Sequence, residues 1–302
     1  MLTLHAPAKV NLYLKILARE TSGFHHLETV FASLEFGDIL TVSRTAAGVA
    51  LTTEGPPTGP VRENLIHQAA TAFLERGGVD GGVEIHLEKR IPVGGGLGGG
   101  SSDAAAALRG LQALFPGALT PEEVLRIAGS LGSDVPYFLC GSPLALAWGR
   151  GDRLLPLPPP PPAPVLLALP PVAVSTAEAY RLLAAARREG SRLQEIRWEA
   201  SRPGPARLPS VETLSSWDGL SALAGNDFED VILPAHPLLR RLREALRETS
   251  PLLSLLSGSG ACLFAVYGGE REALVAKDFM EERFSESTFV LTRTEVLLPP
   301  RA

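Results

Sequence analysis

Six of the seven residues from Gly94 to Gly100 are glycine. The run they belong to, Pro92-Val93-Gly94-Gly95-Gly96-Leu97-Gly98-Gly99-Gly100-Ser101-Ser102-Asp103, constrains this chain more than any other part of it. With almost no Cβ atoms, the segment reads as a bend whose backbone N–H groups can come close to a ligand. It follows a short predicted strand, Val83–Leu87, and Lys89-Arg90. It opens a helix predicted over Asp103–Phe115, rich in Ala and Leu and stopped by Pro116-Gly117. The free N–H groups and dipole at a helix start favour anions, so a polyphosphate suits this site. Ser101 and Ser102 stand where a hydroxyl could reach a phosphate or lie near its metal.

Three readings compete for the loop. Gly94-x-Gly96-x-x-Gly99 satisfies the spacing of a dinucleotide-binding turn, but the preceding strand carries Glu84, His86, Glu88, Lys89 and Arg90 and is not a buried apolar run. A Walker A loop needs a Lys before its Ser/Thr, and none is present. A purely structural turn would not need so many glycines, each with an entropic cost.

The rest of the chain reads as a mixed α+β protein. Val10, Leu12, Leu14 and Ile16 alternate with Lys9, Asn11, Tyr13 and Lys15, the period of a half-buried strand, so Lys9 and Asn11 project from one face. Strands are predicted at Leu27–Leu34 and Ile39–Ser43 with a turn at Gly37-Asp38, and a helix over Asn64–Arg76. Thr120-Pro121-Glu122-Glu123 carries a helix start with cap, N1 proline and capping-box Glu. Pro158–Pro162 favours an extended polyproline segment, read as a stiff connection in preference to a recognition motif. Beyond it a strand is predicted at Val165–Leu169, helices at Thr176–Arg188 and Leu238–Glu248, and a tight turn Ser257–Gly260 before an apolar strand Ala261–Tyr267; Glu189–Ser210 reads as a mobile insertion. The elements lack the regular βα period of a barrel or doubly wound sheet.

The chain has 302 residues, 45% of them hydrophobic, enough for two lobes. A net charge of −5 argues against a nucleic-acid partner. Met1–Ile16 is interrupted by Lys9, Asn11 and Lys15, unlike a signal peptide, and no run of about 18 apolar residues suggests a membrane span. The two cysteines, Cys140 and Cys262, lie in apolar runs and are read as core, and the compartment expected is the cytoplasm.

Three segments together resemble the GHMP kinase superfamily: Ala6-Pro-Ala-Lys-Val-Asn-Leu12, Pro92–Asp103 and Leu256-Ser-Gly-Ser-Gly-Ala261, in that family's order. Further segments are similar to the branch that phosphorylates a cytidine-diphosphate conjugate of methylerythritol in non-mevalonate isoprenoid synthesis. They are Gly23-Phe24-His25 with Glu28-Thr29-Val30-Phe31, Glu63-Asn64-Leu65, Gly132-Ser133-Asp134-Val135-Pro136, and Gly225-Asn226-Asp227-Phe228-Glu229. The resemblance implies the two-lobed GHMP kinase fold, with an N-terminal lobe over 1–157, a C-terminal lobe over 158–302 and the active site in the cleft. It implies transfer of the ATP γ-phosphate to the 2-hydroxyl, with Asp134 as base and Lys9 orienting it. Pro92–Ser102 would take ATP, accompanied by Mg²⁺ for which no protein ligand is named, and Asn64 and Lys89 would approach the adenosine. Asn11, Phe24, His25 and Tyr180 would take the other substrate, His25 contacting cytosine and Tyr180 on the opposite side of the base. Phe24 stands where the family usually has Tyr, which keeps a stacking ring and loses a hydroxyl.

Overall fold

The structure, a computed structural model, describes residues 1–19, 25–194 and 210–295. The first part of the chain forms β1 (Leu2–Arg19), β2 (His25–Thr45), β3 (Gly48–Glu54), α1 (Leu65–Gly77), β4 (Gly82–Glu88), α2 (Gly99–Leu114), α3 (Pro121–Leu131), α4 (Val135–Leu139), β5 (Leu144–Gly149) and β6 (Arg153–Pro156). The second forms β7 (Pro164–Leu169), α5 (Thr176–Gln194), α6 (Val211–Leu214), α7 (Trp217–Leu223), β8 (Gly225–Asn226), α8 (Glu229–Ala235), α9 (Pro237–Glu248), β9 (Leu253–Leu256), β10 (Leu263–Val266), α10 (Glu270–Arg283) and β11 (Thr288–Arg293). The α+β expectation holds.

Two sheets organise these elements. The first runs β3-β4-β2-β1-β8, with β5 and then β6 continuing from the first half of β2; the second runs β11-β7-β10-β9 and is antiparallel throughout. Alternation along single strands builds the layers. In β7, Leu166 and Ala168 face Leu239, Leu242 and Leu246 of α9, whereas Val165 and Leu167 face Val10 and Leu12 of β1. The other face of the first sheet, with Leu40, Val42, Ile85 and Leu87, packs on α1, α2 and α3. β1 feeds all three cores: Ala6 the first, Val10 and Leu12 the second, Leu14 and Ile16 the third. Each such aliphatic side chain contributes roughly 1.5–3 kcal/mol.

Local signals set several boundaries. Asn64 caps α1 by accepting from the Ile66 N–H at 2.9 Å, and Thr120 with Glu123 completes the capping box of α3. The predicted turn at Gly37-Asp38 is absent: β2 continues through it, with a shift in its pairing to β1 between Ser33 and Gly37. Gly37 lies against the β1 backbone, where a Cβ would come 2.5 Å from the Ala6 carbonyl oxygen. Asp38 is fully buried and accepts from the N–H groups of Arg90 and Ile91 (2.5 and 2.8 Å), holding the segment after β4. The helix predicted from Asp103 starts at Gly99. Helix α5 extends past the predicted Arg188 to Gln194, so part of the expected insertion is helical; positions 195–209 lie outside the described residues. The proline run bridges β6 and β7, Leu157 N–H bonding the Leu144 carbonyl (2.9 Å) and Trp217 Nε1–H the Pro161 carbonyl (2.8 Å). Cys262 is buried and Cys140 half-buried, both free thiols.

Near the chain end, Glu295 is buried beside His5 (3.7 Å) with its Oε2 unpartnered among the described residues. Burial pushes its carboxyl up to about 7, Arg109 opposing and Glu35 adding to the rise. A raised carboxyl stabilises the fold below the ordinary carboxylate range, and that contribution is lost as pH rises through about 7. Glu295→Gln is therefore expected to melt with wild type at pH 5 and roughly 2–4 °C above it at pH 8, read by thermal unfolding at both pH values.

Candidate active site

The glycine loop is clamped from two sides. The Lys9 N–H of β1 bonds the Leu97 carbonyl at 2.9 Å, and a Cβ on Gly98 would fall 2.9 Å from Lys9 Cγ. From the second part of the chain, the Ser257 hydroxyl donates to the Gly96 carbonyl at 3.0 Å and the Cys262 N–H to the Gly95 carbonyl at 3.2 Å. Gly96 has φ +78°, and a Cβ there would overlap the Ser257 carbonyl oxygen. The loop thus presents its remaining N–H groups at the start of the 16-residue helix α2. Asn64 is engaged as the α1 cap, and its neighbour Leu65 lies 3.7 Å from the Cβ position of Gly100, so the start of α1 borders the loop.

Lys89 lies beneath the loop. Its side chain is buried, its ammonium bonds Asp38 and, at 2.9 Å, Asp103, and it stands 2.8 Å from the Cβ position of Gly99. Burial pushes the Asp103 carboxyl up to about 8, with Lys89 opposing. In this placement Lys89 is held by the side chains of Asp38 and Asp103 under the first turn of α2. Ser102 Oγ and Asp103 Oδ1 are buried with no hydrogen-bond partner among the described residues. The Ser101 hydroxyl lies 3.9 Å from the Cβ position of Gly132, two residues before Asp134.

Beside the loop, Lys9 Nζ is 3.4 Å from Asp134 Oδ2 and donates to Asn11 Oδ1 at 2.7 Å, as the shared strand face requires. The Lys9 side chain is 5% exposed and that of Asp134 32%, so an ammonium stands behind a carboxylate open to the cleft. Asp134 precedes α4, yet its side chain makes no capping bond. Arg109 fixes the other end of α4 by donating to the Phe138 carbonyl at 2.8 Å. Two contributors went unassigned in the sequence, Thr29 and Phe31. Thr29 accepts from Asn11 Nδ2 at 2.8 Å, and the Phe31 ring lies under Lys9 Nζ, 5.1 Å to its centroid. Their two-residue spacing on β2, opposite β1, was the available signal.

An aromatic group closes the other end. The His25 and Tyr180 rings are stacked at 4.1 Å and 15°, and Tyr180 meets Phe228 edge-on at 5.0 Å. The resemblance implied the two rings on opposite sides of the base; the structure sets them ring on ring, with no gap between them. Burial, with the negative Asp134 second, pushes the Tyr180 hydroxyl up, which puts the stack within electrostatic range of the catalytic candidates. Phe24 lies outside the described residues. No described helix is long and apolar enough to cross a membrane.

Comparisons with known proteins identify the family. The GHMP kinases N terminal domain matches residues 64–142 and the GHMP kinases C terminal domain residues 210–286. A 4-diphosphocytidyl-2-C-methyl-D-erythritol kinase of Synechococcus sp. (strain JA-2-3B'a(2-13)) is 38% identical over 99% of this chain and 96% of its own length; one of Moorella thermoacetica is 37% identical over 97% and 99%. A crystal structure of 4-(cytidine 5'-diphospho)-2C-methyl-D-erythritol kinase is similar with a TM-score of 0.78 and 35% identity, covering 97% of this chain and 99% of that one. A homoserine kinase from Cytophaga hutchinsonii has a TM-score of 0.71 at 18% identity, covering 98% and 95%, a likeness of fold alone. Matched by these relatives along 97% or more of its length, the chain belongs to the 4-diphosphocytidyl-2-C-methyl-D-erythritol kinases of the GHMP kinase family.

Proposed function

We propose that this enzyme transfers the γ-phosphate of ATP to the 2-hydroxyl of 4-diphosphocytidyl-2-C-methyl-D-erythritol, a step of non-mevalonate isoprenoid precursor synthesis. The observation that carries the reading is the Lys9–Asp134 pair, set between a phosphate-type loop and an aromatic group. The tertiary hydroxyl is a crowded nucleophile, so alignment and proton removal both matter. Its oxygen attacks the γ-phosphorus while the bond to the β-phosphate oxygen breaks. The hydroxyl proton passes to Asp134, and ADP leaves. Lys9, held by Asn11 and seated on Phe31, orients Asp134 and offsets the charge that develops.

Pro92–Ser102 takes the triphosphate, with Asn64 at the border of the loop and Lys89 supporting it from below. Mg²⁺ fits this arrangement. The buried Ser102 hydroxyl has no partner among the described residues and, with the loop N–H groups, would lie beside an ion carried by the phosphates. When bound, the ion neutralises charge on the phosphates. The substrates are small and soluble, and we place the reaction in the cytoplasm, with no nucleic-acid or membrane partner.

A coupled assay across the cytidyl substrate, mevalonate and homoserine tests the reading: turnover only with the cytidyl compound is expected, and phosphorylation of mevalonate instead would sink it. At the cytidine end, Tyr180→Ala is expected to raise KM for the cytidyl substrate about ten-fold while KM for ATP stays within about two-fold. Equal losses for both would show structural damage instead.

A further inference from the structure

Within the Gly225–Glu229 segment, Phe228 meets the aromatic stack, while Asn226 and Asp227 belong to neither the loop nor the Lys9–Asp134 pair, yet their side chains are fully engaged. β8 adds to β1 in parallel beside Tyr13 and Leu14, and the Asp227 N–H bonds the Leu14 carbonyl at 3.0 Å. From there successive side chains reach in different directions. The buried Asn226 amide donates to the Leu256 and Gly258 carbonyls, both at 2.8 Å, and accepts from the Phe228 N–H at 2.9 Å, which uses both its donors and its acceptor. Those carbonyls frame the Ser257–Gly260 turn, the one whose Ser257 hydroxyl holds the Gly96 carbonyl. Gly258 itself sits where a Cβ would come 3.2 Å from that same Gly96 oxygen and 3.6 Å from Asn11 Oδ1.

Asp227 reaches the other way. It accepts from the Ile16 N–H at 2.9 Å, from Lys15 Nζ at 2.8 Å and from Arg187 Nη2 at 3.0 Å. Arg187 also donates to the Ile16 carbonyl at 2.5 Å. Arg187 lies seven residues, about two turns, beyond Tyr180 on α5, so this cluster fixes the helix that carries the stacking ring. Phe228 buttresses that ring from the side.

We propose that Asn226 and Asp227 are adjacent positioning residues for opposite ends of the cleft. Asn226 holds the Ser257–Gly260 turn against the phosphate loop and so governs ATP affinity. Asp227 holds α5 against β1 and so governs affinity for the cytidine end. The inference rests on the reading above that the loop takes ATP and Tyr180 the cytidine. A packing role alone would lower stability and both affinities together, whereas positioning separates them.

The test uses the full chain with Asn226→Asp and Asp227→Asn, titrated calorimetrically with ADP and with CDP, alongside steady-state KM values and thermal unfolding. Asn226→Asp sets a carboxylate oxygen against two carbonyls; it is expected to weaken ADP and raise KM for ATP about ten-fold, with CDP within about two-fold. Asp227→Asn is expected to weaken CDP about five-fold, with ADP within about two-fold. Equal losses of both ligands in either variant, or no loss in either, overturn the proposal. Should Asn226→Asp not fold, Asn226→Ser keeps one donor and is expected to weaken ADP selectively by about three-fold; equal losses there also overturn it. The titrations need no turnover, so the split is read even if the substrate panel fails.

Discussion

Asp134→Asn is expected to lower turnover by about two orders of magnitude or more while ATP affinity stays within about two-fold. Asn matches the carboxylate in shape but cannot accept the hydroxyl proton. It still offers an oxygen to Lys9 Nζ, now 3.4 Å from Oδ2, so the ammonium keeps a neighbour. Because the side chain makes no capping bond to α4, the change should leave the fold in place. Single-turnover phosphorylation of the cytidyl substrate, with ATP binding titrated separately, measures the two effects apart. Unchanged turnover would remove Asp134 as base; retained binding with lost turnover would exclude the view of this chain as a nucleotide-binding regulator without chemistry.

Gly96→Ala should have the next largest effect, by a different route. The residue sits at φ +78°, which costs an L-side chain roughly 1–2 kcal/mol, and its Cβ has no room against the Ser257 backbone. The glycine loop and the Ser257–Gly260 turn would have to part, disturbing the N–H groups that we propose bind the phosphates. We expect KM for ATP to rise by about thirty-fold or more, with a clear fall in melting temperature in the absence of nucleotide. Gly94→Ala is the control: φ is +74°, but nothing lies within 4 Å of the added Cβ. If both variants melt alike, backbone strain alone accounts for the loss and the interlock between the loops does not matter.

Much of this site could be read from local pattern. The period of two along Lys9–Ile16 placed Lys9 and Asn11 on one face, and they are hydrogen-bonded there. The cap residues Asn64 and Thr120 started their helices as their chemistry dictates. Asp134 was different: nothing in its own neighbourhood separates it from a capping aspartate, and only the family resemblance singled it out. The failures share a cause. Gly37-Asp38 has turn composition, but the strand is kept going by partners far along the chain, the Ala6 backbone at Gly37 and the Arg90 and Ile91 N–H groups at Asp38. Lys89 is likewise buried by Asp38 and Asp103, which arrive from distant segments and which its own neighbourhood does not announce. Local propensity cannot report a partner fifty residues away.

The three-core strand β1 also sets an order of events for the newborn chain. Leu14 and Ile16 find cover from Phe228, Ile232 and Leu239 only after more than two hundred further residues have been made. Leu34 on β2 waits longer still, for its bridge to Thr294. Until then these apolar edges are open to wrong partners, and contacts so distant in sequence close slowly. A chain released before Thr294 would leave that edge unpaired.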